Sequence, residues 1–277
     1  MTSLLDGRVA IVSGAARGIG LATSQLLAEN GARVLMADLD ADALAGAAAT
    51  VRDGQAATFA ADLTVDGAPE RMVAAAVDAF GKLDIIVNNA GYSLDAPLHK
   101  MSDESYQRML DIHLVVPFRV LRAAAPHLRE PAKREREEGR EVFRKVVNVS
   151  STTGTMGNAG QANYAAGKAG IVGVTKTMAK EWGPLKINVN AVAFSWIETR
   201  MIAAKDETNT MHIDGEDVRL GVPEQLRGLV GAMVPLGRTG TPREAAGAVL
   251  FLCSPWSDFV TGQVLTVSGG ALGGMSA

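Results

Sequence analysis

Short apolar runs rich in β-branched residues alternate with longer alanine-rich stretches along the whole chain. The apolar runs are nearly continuous, as expected for strands that are buried on both faces, and seven of them predict strands. Six longer stretches predict helices. The predicted strands are Arg8–Val12, Arg33–Ala37, Ala57–Ala60, Leu83–Val87, Val146–Val149, Ile187–Val192 and Val264–Val267, and the predicted helices are Ile19–Asn30, Ala41–Arg52, Ala68–Phe80, Asp103–Leu128, Tyr164–Trp182 and Pro242–Cys253.

The regular order of strands and helices predicts an α/β fold with a parallel sheet and helices on both of its faces. One doubly wound domain accounts for residues 1–277. Two segments interrupt the order. Arg129–Lys145 has twelve charged residues out of seventeen, which predicts a solvated helix extension or a mobile surface insertion. Thr199–Met233 lacks a clear period, and we predict a substrate lid there, with an ordinary surface loop as the alternative.

Composition and charge exclude several classes of protein. Of the 277 residues, 47% are hydrophobic, which suffices for a full core and excludes wholesale disorder. The 27 Lys and Arg against 30 Asp and Glu give a net charge of −3, which excludes the strongly basic footprint of a nucleic-acid-binding protein. Two long uncharged stretches, Val146–Gly167 and Phe259–Ala277, are rich in Ser, Thr, Asn and Gly and do not predict membrane spans.

Neither a metal centre nor a disulfide is expected. Cys253 is the only cysteine, and the four histidines are scattered without the spacing of metal ligands. The segment Met1–Arg8 carries charges where a signal peptide needs an apolar run. We therefore expect a soluble, cytoplasmic protein without a metal.

A glycine-rich turn lies between the first predicted strand and the first predicted helix. Its sequence, S-G-A-A-R-G-I-G over residues 13–20, lets the chain turn tightly and lets backbone N–H groups approach a pyrophosphate. The spacing G-x-x-x-G-x-G differs from the usual G-x-G-x-x-G, but the strand–turn–helix context favours a dinucleotide site. The cofactor contacts expected here are Ser13, Gly14, Arg17, Gly18, Ile19 and Gly20.

Asp38 ends the second predicted strand, eighteen residues after Gly20. A carboxylate at this place accepts hydrogen bonds from the ribose hydroxyls of NAD and repels the 2′-phosphate of NADP. Alternatively, Asp38 caps the next helix, a role that Asp40 fills equally well. Arg17 argues the other way, because a cation in the turn suits a 2′-phosphate. We favour NAD and keep NADP open.

Two further turns complete the expected cofactor site. Asp62, directly after the third strand, either binds the adenine amino group or serves as a turn residue, and we assign its neighbour Leu63 to the same region. The sequence N-N-A-G at 88–91 closes the fourth strand, where small residues let a cofactor pass, although this is also ordinary turn chemistry. The contacts expected here are Asn89, Ala90 and Gly91.

Tyr164 and Lys168 lie four residues apart and therefore share one helix face. A nearby ammonium lowers the pKa of a phenol from about 10 toward neutrality, which makes Tyr164 a general acid–base for a carbonyl or a secondary alcohol. Ser151 ends the preceding strand, and the carboxyl ends of strands are where open α/β sheets bind ligands. We expect its hydroxyl to reach the same carbonyl oxygen.

With the glycine-rich turn, N-N-A-G, Ser151 and Y-A-A-G-K (164–168) in this order, the chain resembles the short-chain dehydrogenase/reductase family over essentially its full length. The run Gly154–Tyr164 is most similar to the β-ketoacyl-[acyl carrier protein] reductase branch. The resemblance implies a Rossmann-type fold, a nicotinamide cofactor and a homotetramer. It also implies that Tyr164 donates a proton to the substrate oxygen, that Lys168 holds the nicotinamide ribose and lowers the pKa of Tyr164, and that Ser151 positions the carbonyl.

The chain departs from the family pattern at three places. Ser13 replaces the usual Thr but keeps the hydroxyl. His113 stands where the family has an Asn that supports a water-linked proton path, and it either relays protons through its own ring or merely packs. Phe194-Ser195 replaces the usual Pro-Gly, while Ile197 and Thr199 still match positions that contact the nicotinamide amide and the phosphates.

The resemblance favours an NAD(P)(H)-dependent oxidoreductase that acts on a 3-oxoacyl thioester. From Met201 to Met233, however, the predicted lid has six acidic and only three basic residues and does not suit an anionic carrier protein. A small ketone, a secondary alcohol or a sterol therefore stays open as the substrate. The basic residues of the charged segment are the alternative attraction for a carrier, although neighbouring glutamates dilute them: Arg129, Lys133, Arg134 and Arg136.

The opposing class is a non-catalytic dinucleotide-binding scaffold. His113 and Phe194-Ser195 favour it, whereas an intact set of Ser151, Tyr164 and Lys168 argues against it. The apolar, Gly-rich stretch Val264–Ala277 suits packing against a partner subunit.

Overall fold

Alternate side chains of the central strands enter two separate apolar cores. Ile11 and Leu35 pack on one face of the sheet, whereas Ala10, Val12 and Val34 pack on the other. Two-sided burial explains why these strands appear in the sequence as continuous apolar runs. The computed structural model describes residues 3–52, 54–204, 209–213, 216–222 and 224–271.

Within these residues, seven parallel strands form one sheet: β1 (Val9–Ser13), β2 (Arg33–Asp38), β3 (Ala56–Ala60), β4 (Ile85–Asn88), β5 (Arg144–Ser151), β6 (Ile187–Phe194) and β9 (Val264–Val267). Their spatial order is β3-β2-β1-β4-β5-β6-β9. Two short strands, β7 (Thr210–Ile213) and β8 (Glu216–Arg219), pair antiparallel outside this sheet. The predicted α/β fold with a doubly wound parallel sheet is confirmed.

The helices connect successive strands and cover both faces. They are α1 (Gly18–Glu29), α2 (Ala41–Ala48), α3 (Ala68–Phe80), α4 (Asp103–Leu110), α5 (Val116–Glu137), α6 (Thr153–Met156), α7 (Ala162–Trp182), α8 (Glu224–Met233) and α9 (Pro242–Cys253), with 3₁₀ turns at Leu98–Lys100, Gly183–Leu185 and Pro255–Ser257. Apolar residues of α3, α5 and α7 fill one core, and those of α1, α2 and α9 fill the other. In the described part of the chain, no helix has the length and apolarity that crossing a bilayer requires.

The strand order reverses between β1 and β4. The chain passes from β1 outward to β2 and β3, and then returns to place β4 on the other side of β1. In open α/β sheets, the crevice at the carboxyl ends of such a pair of strands is where ligands bind. This switch point brings the ends of β1 and β4 together with that of β5.

The long helix predicted over Asp103–Leu128 is two helices separated by a π-helical turn, Asp111–Val115. The second, α5, continues to Glu137 through Pro131. Its buried Leu128 and Ala132 pack in the core. Tertiary packing therefore holds a helix that proline would end in isolation.

The prediction that Arg129–Lys145 is a solvated segment is wrong at its end. Arg144 and Lys145 begin β5 and are only 4% and 3% exposed. The Arg144 guanidinium donates to both carboxylate oxygens of Glu135, at 2.6 and 2.9 Å. Lys145 Nζ donates to Asp258 Oδ1 at 2.6 Å. These pairings let two cations enter the sheet, because buried charge requires a partner.

Candidate active site

A cavity of about 1390 Å³ opens at the carboxyl edge of the sheet. It holds every predicted catalytic residue and all but one of the predicted cofactor contacts. Lining it are Gly14, Arg17, Gly18, Ile19, Gly20, Asp38, Asp62, Leu63, Asn89, Ala90, Gly91, His113, Ser151, Tyr164, Lys168, Ile197 and Thr199.

The glycine-rich turn forms a cradle that side chains would fill. A Cβ on Gly20 would lie 2.0 Å from the carbonyl oxygen of Gly14, so the turn closes only with glycine there. Gly14 itself has a φ of +66°, in the left-handed region that favours glycine. No side chain caps the first turn of α1, and that turn contains no acidic residue. The positive end of the helix dipole therefore faces the cavity, which fits the pyrophosphate of a dinucleotide.

Ser13 is the one predicted cofactor contact that does not line the cavity. It is buried, and its hydroxyl oxygen accepts hydrogen bonds from the backbone N–H groups of Asn89 and Ala90, both at 3.0 Å. The Asn89 amide donates in turn to the Ser13 and Gly14 carbonyl oxygens, at 2.9 and 3.1 Å. Ser13 therefore fastens the N-N-A-G turn to the glycine-rich turn, and its contact with a cofactor stays a prediction.

The carboxylate of Asp38 is held at the cavity by backbone donors. Its two oxygens accept from the N–H groups of Ala16 and Asp40, at 3.0 and 3.1 Å. Asp40, not Asp38, caps α2, since its carboxylate accepts from the Ala43 N–H at 3.0 Å. Of the two alternatives for Asp38, the structure removes the capping role.

Asp62 and Leu63 lie beyond the end of β3, at the same side of the cavity. One Asp62 oxygen accepts from both the backbone N–H and the hydroxyl of Thr64, at 2.8 and 2.7 Å. Asp62 therefore serves as a turn residue and also lines the cavity, and its contact with an adenine amino group stays a prediction.

Ser151, Tyr164 and Lys168 meet where β5 and α7 approach each other. Ser151 is the last residue of β5, and its oxygen accepts from the Thr153 N–H at 3.1 Å. Lys168 Nζ donates to the Val149 carbonyl oxygen at 2.7 Å and lies 5.6 Å from the centroid of the Tyr164 ring. The four-residue spacing does place the phenol and the ammonium on one face of the helix.

The pKa of Tyr164 is not lowered toward neutrality. Burial raises the pKa of the phenol to about 12, while a hydrogen bond with Ser151 lowers it and the charge of Asp95 raises it. Lys168 does not reverse this, because burial lowers the pKa of its own ammonium to about 7. The expectation from helix spacing failed because it left out desolvation, which disfavours the charged form of both groups.

His113 is buried beside Tyr164 in the π-helical turn. Its Nε2 lies 2.7 Å from the Tyr92 carbonyl oxygen, and its Nδ1 is buried without a hydrogen-bond partner. Burial and the charge of Lys168 lower the pKa of His113 well below its ordinary value. A Cβ on Gly91 would lie 2.3 Å from the ring, so this glycine makes room for the imidazole.

The chain runs without a break past the substituted Phe194-Ser195. The Phe194 carbonyl oxygen accepts from the Thr152 N–H at 2.9 Å, and the Ser195 N–H donates to the Val267 carbonyl oxygen at 3.2 Å. Ile197 then forms a parallel bridge with Gly240. A Cβ on Gly18 would lie 3.4 Å from Thr199, which places Thr199 at the N-terminus of α1. These contacts anchor the backbone after β6 even though Phe194-Ser195 replaces Pro-Gly.

The segment Thr199–Met233 forms β7, β8 and α8 and faces the cavity with apolar side chains. These are Met201, Ile202, Met211, Leu220 and Met233. The acidic and basic side chains that the sequence places in this segment fall largely outside the described residues. The segment's position over the cavity agrees with a lid, which stays a prediction.

Sequence reasoning did not identify three polar residues that line the cavity: Asp95, Asn158 and Gln161. Gln161 Nε2 donates to Asp95 Oδ2 at 3.0 Å, and Asn158 donates to Gln161 Oε1 at 2.9 Å. Gln161 lies inside the run Gly154–Tyr164 that carries the family resemblance, whereas Asp95 belongs to no sequence motif. In the described part of the chain, no group of three His, Cys, Asp or Glu side chains could hold a metal ion.

Comparison with known proteins agrees with this geometry. The model of the family described as enoyl-(acyl carrier protein) reductase matches residues 14–271. The chain is 40% identical over 268 residues to a 3-oxoacyl-[acyl-carrier-protein] reductase of Vibrio cholerae, covering 96% of this chain and 98% of that protein. A Thermotoga maritima protein of the same name is 35% identical with the same coverage. A Brucella melitensis 3-ketoacyl-(acyl-carrier-protein) reductase, solved in complex with NADH, superposes with a TM-score of 0.82 at 29% identity and covers 97% of this chain and 99% of that one.

Proposed function

Since this chain belongs to the short-chain dehydrogenase/reductase family and is an oxidoreductase of that family, we propose that it reduces the ketone of a 3-oxoacyl thioester with a nicotinamide dinucleotide. The observation that carries the proposal is the meeting of Ser151, Tyr164 and Lys168 in the cavity that begins at the glycine-rich turn. A bound nicotinamide supplies the hydride. The relatives named for this activity match nearly the whole chain.

The chain's own groups handle the substrate oxygen and its proton. With a pKa of about 12, the Tyr164 hydroxyl keeps its proton at neutral pH and is ready to donate it to an oxygen that becomes an alcohol. The Ser151 hydroxyl orients the same oxygen. When Tyr164 has given up its proton, the Lys168 ammonium close to its ring stabilises the phenolate. This division of roles favours reduction as the working direction.

Asp38 favours NAD(H) over NADP(H). Two backbone N–H groups fix its carboxylate at the end of β2, where the ribose of a dinucleotide lies in folds of this type. A fixed negative charge there accepts hydrogen bonds from the ribose hydroxyls and repels the 2′-phosphate of NADP(H).

The apolar wall of the 199–233 segment favours an acyl substrate over a small polar ketone. Three methionines, Met201, Met211 and Met233, face the cavity, and methionine side chains adapt to flexible apolar ligands. The cavity is also larger than a typical pocket for a drug-sized molecule, which leaves space for a substrate beside a dinucleotide.

The basic residues of the charged segment lie at the wrong end for carrier docking. Arg129 to Arg136 follow His113 along α5, so they stand about 24–35 Å from it along the helix axis. One of them, Lys133, already pairs with Glu130 at 2.7 Å. A carrier protein attracted there would bind at the edge of the sheet opposite the catalytic groups.

The test is NADH consumption with acetoacetyl-CoA, crotonyl-CoA and a panel of ketones, for the wild type and Tyr164→Phe. We expect turnover of acetoacetyl-CoA that falls about 10²–10⁴-fold in the variant, since a positioned acid contributes that much. Crotonyl-CoA separates ketone from alkene reduction. Equal, non-zero rates in both proteins would remove Tyr164 from the reaction, and NADH binding without any turnover would favour the non-catalytic scaffold.

The expected homotetramer has support in the edge strand β9. Trp256 and Phe259, just before it, are among the most exposed large apolar side chains of the described residues. A soluble monomer rarely leaves such groups together in water. Light scattering of the wild type and Phe259→Asp is the test, and a monomeric wild type at micromolar concentration overturns the assignment.

A further inference from the structure

Two carboxylates and two guanidinium groups lie together at the β2 end of the cavity. The guanidinium of Arg17, in the glycine-rich turn, contacts Asp40 Oδ2 at 2.6 Å. Asp38 stands next to both, because its oxygens accept from the N–H groups of Ala16 and Asp40. Arg17 is the cation in the glycine-rich turn, at the end of the cavity where a ribose 2′-phosphate would lie.

Asp40 is itself fixed. Its second oxygen accepts from the Ala43 N–H at 3.0 Å and so caps α2. The Ala43 N–H and the Arg17 guanidinium both lower the pKa of Asp40, which therefore stays ionised. A carboxylate held by a helix N-terminus on one side and by Arg17 on the other has little freedom to swing away.

Arg200 adds a second cation to the group, and it too is tethered. Its guanidinium donates to the Thr210 carbonyl oxygen, and its Nε lies 3.4 Å from Asn209 Oδ1. Burial lowers the pKa of Arg200, and the charges of Arg17, Asp40 and Asp38 also act on it, so its guanidinium lies within the same field. The four formal charges sum to zero as long as Asp40 keeps its charge.

We propose that Asp40 is a specificity-determining residue that excludes NADP(H) by occupying Arg17, the cation that a 2′-phosphate would need. The proposal rests on the proposed function, in that it presupposes a dinucleotide on the glycine-rich turn. Arg17 and Asp40 are each nearly half exposed, at 45% and 43%, and such an ion pair is weak in itself. The exclusion therefore comes from the carboxylate of Asp40. If a 2′-phosphate bound the Arg17 guanidinium, this negative charge would lose its partner and repel the phosphate.

This assigns the selection to two carboxylates with different roles. Asp38 faces the ribose hydroxyls directly, whereas Asp40 acts through Arg17. A glycine-rich turn with an arginine at this place suits NADP in its sequence, and the partner that cancels the arginine lies 23 residues further along the chain.

The experiment compares dissociation constants for NADH and NADPH, followed by quenching of tryptophan fluorescence, since Trp196 lines the cavity. Asp40→Asn retains a side-chain oxygen that caps α2 and removes the charge that holds Arg17. Asp42→Asn is the matched control, because it removes an exposed charge from the first turn of the same helix. Asp40→Asn with Arg17→Ala tests whether any gain passes through Arg17.

We expect Asp40→Asn to lower the ratio of the NADPH to the NADH dissociation constant roughly five- to tenfold, as one half-exposed charge at this distance would do. The Arg17→Ala double variant should cancel the gain, and Asp42→Asn should leave the ratio within about twofold of wild type. Equal shifts in Asp40→Asn and Asp42→Asn, a gain that survives Arg17→Ala, or a wild type that already prefers NADPH each overturns the proposal. A wild type that binds neither nucleotide contradicts the proposed function instead, so the two failures are distinguishable.

Discussion

The rings of His113 and Tyr164 meet edge to face, with their centroids 4.8 Å apart and their planes at 84°. Nε2 of His113 lies at a carbonyl oxygen, which only accepts, so this nitrogen carries the proton and Nδ1 does not. Together with the lowered pKa, this makes His113 a neutral ring across the physiological range. Of the two roles left open by the sequence, the contacts favour packing that orients Tyr164 over a titrating relay.

The pH dependence of the rate tests this role. We expect the pH–rate profile of His113→Asn to have the same shape as that of the wild type, since a ring that stays neutral contributes no ionisation. The height of the profile is free to change, because the variant loses the ring contact with Tyr164. His99→Asn, at an exposed histidine, is the control. An inflection near pH 6 to 7 that disappears only in His113→Asn would restore the relay.

Lys168 is expected to cost stability while it serves the reaction. Its folded pKa of about 7 lies below the ordinary 10.5, so the unfolded chain binds more protons between these values and the wild type gains stability as the pH rises through them. Lys168→Met should therefore raise the free energy of unfolding by about 1 kcal/mol at pH 7 and lose turnover.

The stability difference between Lys168→Met and the wild type should narrow as the pH rises from 7 to 10. Denaturant unfolding at several pH values measures it. A difference that stays constant or widens would show that the buried ammonium is not the destabilising group.

The buried pair of Arg144 and Glu135 is expected to be worth more than surface pairs. Glu135→Gln leaves the guanidinium buried without a counter-charge and should destabilise the protein by about 3 kcal/mol. Glu137→Gln, an exposed position two residues along α5, should change stability by less than about 0.5 kcal/mol. If the two variants unfold at the same denaturant concentration, the pair contributes nothing beyond a surface contact.

Two glycine-to-alanine substitutions, one in the glycine-rich turn and one in α2, should have opposite effects. Gly20→Ala places a methyl group 2.0 Å from the Gly14 carbonyl oxygen and should abolish NADH binding through distortion of the turn. Gly46→Ala, inside α2 with open space around it, should stabilise the protein by about 0.5–1 kcal/mol. Thermal unfolding and NADH titration of both variants check this, and an unchanged NADH affinity in Gly20→Ala would contradict the role of the turn.

The sequence predicted what depends on short spacings. The glycine-rich turn, the end of β2 at Asp38 and the four-residue step from Tyr164 to Lys168 all follow from residues that are close along the chain. Each therefore leaves a recognisable pattern in the sequence, and together they indicate where the cavity lies.

What the sequence did not predict depends on distant partners and on burial. The Lys145 ammonium pairs with Asp258, 113 residues away, so nothing near Lys145 indicated a strand. Similarly, the Ser13 hydroxyl accepts a hydrogen bond from the N-N-A-G turn, 76 residues away, which nothing near Ser13 indicated. The pKa of Tyr164 was predicted in the wrong direction because the extent of its desolvation exists only in the folded protein.

Residues on either side of the 199–233 region are joined to each other. Ile197 pairs with Gly240, and the Gly240 N–H donates to the Trp196 carbonyl oxygen at 2.9 Å. The 199–233 region therefore leaves the rest of the fold and returns to it at one place. Changes in its length or composition need not alter the sheet. Relatives of this chain can therefore differ widely in this segment and still share the same sheet and the same catalytic side chains at its carboxyl edge.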